Sequence, residues 1–76
     1  MEASVDQALD LLIILTARLP PPAGHHHAIM MSDVPGAALV IMVHIGERRV
    51  WAHLDADALR NDSTVIADAV LLMVCG

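Results

Sequence analysis

Seventy-six residues make a single domain, and a chain this short buries only about 60% of its extended surface on folding. Its residues are 57% hydrophobic, its mean hydropathy is +0.62 and its formal net charge is −5, whereas an ordinary domain is about 45–50% apolar. Four arginines and no lysine argue against nucleic acid as a partner, because phosphate binding rests on clustered cations. The apolar surplus points instead to burial in another subunit, most simply a second copy.

A membrane span needs about 18 or more nearly uninterrupted apolar residues, and the richest runs, Leu11 to Leu15 and Ala69 to Cys75, are far shorter. The chain starts with Glu2 and Asp6 where a secretory signal would be basic, so the expected setting is the cytoplasm, without membrane contact. The single cysteine, Cys75, has no internal partner for a disulfide, which fits a reducing compartment. At the fraying end of the chain it reads as inert, with an intermolecular disulfide in oxidised preparations as the alternative.

In chain order, Ser4-Val5-Asp6-Gln7 has capping-box spacing and predicts a helix start. Apolar positions Val5, Ala8, Leu9, Leu12, Leu15 and Leu19 form one helical stripe, widened by Leu11 and Ile14, with Asp6 and Asp10 opposite and Ile13 beside them. More than half the circumference is apolar, as expected of a helix that covers its own sheet and also touches a neighbour. Pro20-Pro21-Pro22 ends it. His25 to Met31 then reads as a first strand, bounded by a turn at Val34-Pro35-Gly36.

The stretch from Ala38 to Leu54 holds two β runs about Gly46-Glu47. Successive strand residues point to opposite sides, so Leu39, Ile41, Val43 and Ile45 share a wholly aliphatic face with Val50, Ala52 and Leu54. The other face mixes Val40, Met42 and His44 with Arg49, Trp51 and His53. Gly-x suits a two-residue II′ turn, and a four-residue loop from Gly46 to Arg49 is the alternative, in which His44 and His53 become diagonal neighbours. Asp55 then caps a helical turn through Leu59 with acidic first-turn residues. Asp62 or Ser63 starts a last helix from Thr64 to Val74, with Ile66, Val70 and Met73 on one face beside Val65, Ala69 and Leu72. Its β-branched content leaves a strand as the minor alternative. The fold expected is α+β: a helix, a three-stranded antiparallel sheet with a central hairpin at 38–54, and a C-terminal helix, as one domain over 1–76.

No phosphate-binding glycine loop, G-x-S-x-G, H-E-x-x-H or C-x-x-C occurs. The acidic and hydroxyl side chains fall at caps, turns and solvated faces, so the expectation is no enzyme, no catalytic residue and no cofactor. Three consecutive histidines invite a metal reading, but adjacent strand residues face opposite ways and only His25 and His27 remain as weak candidates to share an ion. Trp51 and Met42 read as the centre of a dimer or other protein interface with histidines at its rim. Leu11 and Ile14 of the first helix are the further contact candidates.

From Val40 to Val74 the chain resembles the small YbaB/EbfC-type nucleoid-associated proteins, whose strands read V-x-V-x-V-x-G and whose later segments read I-D-P-x-L-L-x-x-D and x-L-x-D-L-V-x-x-A. The residues that carry the resemblance are Val43 and Gly46, then Val50, Leu54-Asp55-Ala56-Asp57-Ala58-Leu59 with Asp62, and Ile66, Asp68 and Val70. The hairpin needs a one-residue gap, Ala56 stands where the family has proline, and the first helix is shorter and more apolar than the family's. The resemblance implies a homodimer without enzymatic activity and, in that family, DNA binding. Arg48, Arg49 and Arg60 are the candidate phosphate contacts. Two readings follow: a homodimeric protein-interaction module with a regulatory role, and a DNA-binding dimer.

Overall fold

The computed structural model describes residues 5–32 and 38–75. Helix α1 spans Val5–Arg18, strand β1 Ala28–Met31, β2 Leu39–Ile45 and β3 Arg48–Leu54, followed by a single 3-10 turn at Ala58–Arg60 and helix α2 over Ser63–Cys75. The strands form one antiparallel sheet in the order β1-β2-β3. This is the α+β arrangement expected. The turn at Val34-Pro35-Gly36 and the serine of the capping box at Ser4 lie outside the described residues.

Strand β2 is the middle of the sheet, and its alternation decides the layers. Leu39, Ile41 and Val43 have no exposed surface, and they form one cluster with Ala52 and Leu54 of β3, Leu11 and Leu15 of α1, Leu59, and Ile66, Ala67, Val70 and Val74 of α2. Both helices therefore cover the same side of the sheet. Burying each of these leucine, isoleucine and valine side chains stabilises the fold by about 1.5–3 kcal/mol. Gln7 Nε2 donates to the Leu59 carbonyl at 2.6 Å, which ties the start of α1 to the 3-10 turn.

The helix faces differ from the sequence reading in detail. In α1 the buried line is Leu11 and Leu15, with Ala8, Leu12 and Ile14 half-buried, as is Leu19 just after the helix, while Val5, Leu9 and Ile13 are exposed. In α2 the inward residues are Ile66, Ala67, Val70 and Val74, and Val65, Leu72 and Met73 face outward. Both helices are apolar around so much of their circumference that periodicity alone does not fix which side faces the sheet.

The hairpin has the two-residue connection. Ile45 pairs with Arg48 and Val43 with Val50, which excludes the four-residue loop, and His44 stands opposite Arg49 while His53 stands opposite Val40. Gly46 has φ +60 and no non-glycine residue among those described has positive φ, so only the first central position is left-handed, as in a II′ turn. Strand β1 is shorter than expected: it begins at Ala28, after a turn in which Gly24 has φ +82 and the His25 amide donates to the Pro22 carbonyl at 2.9 Å. In α2 the helical alternative holds over the strand. Asp55 caps as expected, its Oδ1 accepting from the Ala58 amide at 2.8 Å.

A Cβ added at Gly46 would meet nothing within 4 Å, so Gly46→Ala tests backbone strain alone. Its expected cost is about 1–2 kcal/mol, read as a lower urea midpoint with unchanged slope.

Candidate functional site

The side of the sheet turned away from the helices carries Ala28 and Met30 of β1, Val40, Met42 and His44 of β2, and Arg49, Trp51 and His53 of β3. Met42 and Trp51 are direct cross-strand partners at the centre. Trp51 is 49% exposed and Met30 46%, while Val40 and Met42 are half-buried. Arg49 and His53 are exposed beside them. The face is thus an apolar centre bordered by Arg49 and His53, and none of its strand residues is acidic.

At one end of this face the histidines gather. His27 is buried and has both ring nitrogens in use: Nδ1 accepts from the His44 amide at 3.0 Å, so Nε2 carries the hydrogen and donates to the Leu19 carbonyl at 2.6 Å. This neutral ring clasps the chain just beyond α1 to the central strand. His25 lies against His44, ring centroids 4.7 Å apart and tilted by 39°. His44 Nδ1 is buried with no hydrogen-bond partner among the described residues.

This geometry corrects the weak metal pairing of His25 with His27, because both His27 nitrogens are already bonded within the protein. Among the described residues no three His, Cys, Asp or Glu side chains converge as a metal site would require. The clasp itself was hidden from sequence reasoning, since it joins positions eight and seventeen residues apart along the chain and no local pattern encodes that pairing.

The other expected contact residues divide. Met42 and Trp51 come together on the open face, whereas Leu11 is fully buried in the core and is not available to a partner. Ile14 is half-buried and packs against the same core. The outward apolar residues of α1 are Val5, Leu9 and Ile13, and the first two, with Ala8, Leu12, Ile29 and Met31, line a surface groove of about 260 Å³ between α1 and β1.

The arginines do not form one surface. Arg48 and Arg49 are consecutive in β3, opposite Ile45 and His44 respectively, so they project to opposite sides of the sheet. Arg60 lies 3.7 Å from Asp57, and Arg18 of α1 is paired with Asp68 of α2. These are exposed pairs, worth little to stability. The Cys75 thiol is free and exposed. No described helix is long and apolar enough to cross a membrane.

Comparison with known proteins finds no match among family models, curated proteins or solved structures.

Two outcomes follow from the histidine cluster. His27→Ala leaves the Leu19 carbonyl and the His44 amide without their partner, at an expected cost of about 1–3 kcal/mol for each buried group orphaned, measured by urea unfolding. The second concerns pH. Burial of the His44 ring, then the neighbouring His25, Arg49, His27 and His26, holds its pKa below the ordinary 6.5. The unfolded chain therefore binds more protons in the interval between the two values, so this contribution to stability is complete above pH 6.5 and is lost as pH falls through the folded value. Urea midpoints taken across that range should decline on acidification, and His44→Gln should remove that part of the slope.

Proposed function

We propose that this chain is a non-enzymatic interaction module that works as a homodimer in a regulatory role and uses the open face of its sheet around Met42 and Trp51 as its contact. The observation that carries this reading is the half-exposed Trp51, set against Met42 and near the half-exposed Met30 on a face that no described element covers. Trp, Met and Arg are the residue types enriched at interfaces, and this face contains all three. A thin two-layer fold leaves the rest of its apolar surplus on the outer sides of the helices. The resemblance of residues 40–74 to YbaB/EbfC-type proteins adds homodimerisation as an expectation from an independent direction.

A role without catalysis is supported by where the carboxylates stand. Asp55 caps the 3-10 turn, Asp57 faces Arg60 and Asp68 faces Arg18, which leaves these groups in structural positions. A cytoplasmic setting is in keeping with the free Cys75 thiol. DNA binding, the other property implied by the resemblance, draws less support: two of the four arginines face carboxylates and the remaining two diverge across the sheet.

Trp51 is the sole tryptophan and so reports on this face directly. Its emission should shift to the blue as protein concentration rises, in step with a doubling of mass in sedimentation equilibrium. Trp51→Ser should weaken association by about 2 kcal/mol or more, the scale of a central interface residue, with the far-UV spectrum unchanged. A monomer at all concentrations would remove the dimer reading.

A further inference from the structure

The geometry points to an acid-operated latch at His27: a proton taken up on Nδ1 releases the connection between α1 and β1 from the central strand while the core stays folded. Among the described residues His27 is the only buried polar or charged side chain, 2% exposed. Its ring is held at both nitrogens, Nε2 by the Leu19 carbonyl at 2.6 Å and Nδ1 by the His44 amide at 3.0 Å. A backbone amide can only donate, so the closed clasp requires the neutral tautomer with its hydrogen on Nε2 and Nδ1 bare. A second proton has only Nδ1 to occupy. There it sets one N–H against another, and the contact that seats the ring becomes one that expels it.

The titratable and charged groups around the ring offer the imidazolium no counter-charge. The connection itself supplies His25 and His26, β2 supplies His44, and β3 supplies Arg49 opposite His44. At the end of α1 stands Arg18, already paired with Asp68 of α2, and β1 has no ionisable side chain. No ion pair among the described residues joins a carboxylate to a histidine. A buried charge without a partner is strongly unfavourable, so proton uptake at His27 and opening of the clasp are a single event.

Opening is local because the connection lies outside the core. Residues 20–26 contribute no side chain to the buried cluster or to the residues packed against it, and the hydrogen bond from the His25 amide to the Pro22 carbonyl is internal to the segment. Release therefore breaks the two ring bonds and leaves the aliphatic cluster assembled. His25, against the His44 ring, moves with the segment, so acid alters one end of the open sheet face. The latch is independent of self-association and does not rest on that reading.

Nuclear magnetic resonance of the full chain tests this. Long-range proton–nitrogen spectra of the His27 ring should show hydrogen on Nε2 alone at about pH 7.5 and the imidazolium on titration to about pH 5. With the same midpoint, hydrogen-exchange protection of the His44 amide should fall about tenfold or more, while the amides of the fully buried Ile41 and Val70 keep theirs. His44→Gln retains the backbone donor and removes the neighbouring ring that also titrates, so the coupled change at His27 and at the amide of position 44 should persist. The latch is overturned if His27 stays neutral to about pH 5 or if it charges while the His44 amide remains protected. It is equally overturned if that protection is lost only together with Ile41 and Val70, or if His44→Gln abolishes the response.

Discussion

Leu39, Ile41 and Val43 project from the one strand that is paired on both edges, and all three are completely removed from solvent. Everything else is arranged by that row. The helices have to lie on its side of the sheet, because Leu11, Leu15, Ile66 and Val70 meet it there. The intervening residues of the same strand have to point the other way, which is how Met42 and His44 arrive on the face that no described element covers. A one-residue slip of the hairpin would exchange these two sets, and the II′ turn at Gly46 prevents it by fixing the register at its closed end.

Such a molecule has two unlike surfaces. Four arginines against nine acidic residues leave the chain anionic, yet the strand residues of the open face include Arg49 and no carboxylate, while Asp6 and Asp10 lie on the outer side of α1. The separation arises because a strand and a helix each offer one inward and one outward side, and the charged residues of each were left outward on opposite layers. Net charge alone conceals this division.

The parts of this structure legible from sequence are those governed by local chemistry. Gly46-Glu47 identified the turn, alternation identified the faces of β2 and β3, and Asp55 identified the capped turn, each of which depends on neighbours a few residues apart. The helix faces were less legible: with Val5, Leu9, Leu11, Ile13, Ile14 and Leu15 all apolar, the pattern admits several rotations, and Leu11 was expected at an interface when it belongs to the core. His27 was read as a strand residue because it precedes a β-rich run. Its position is fixed instead by the carbonyl of Leu19 and the amide of His44, neither of which leaves a mark on the residues adjoining it.

The clasp at His27 has a bearing on solubility. By bonding through its side chain to Leu19 and His44 it stands just before the β1 ladder, and the outer strand stops at four residues, Ala28–Met31. The opposite outer strand, β3, is longer but opens with two arginines, and cationic side chains discourage foreign strands from pairing with a free edge. On the β1 edge brevity serves that purpose in the absence of charge. Were residues 25–27 to join the ladder, the chain would offer a ribbon edge nearly twice as long, without a fixed charge, to any unfolded segment nearby.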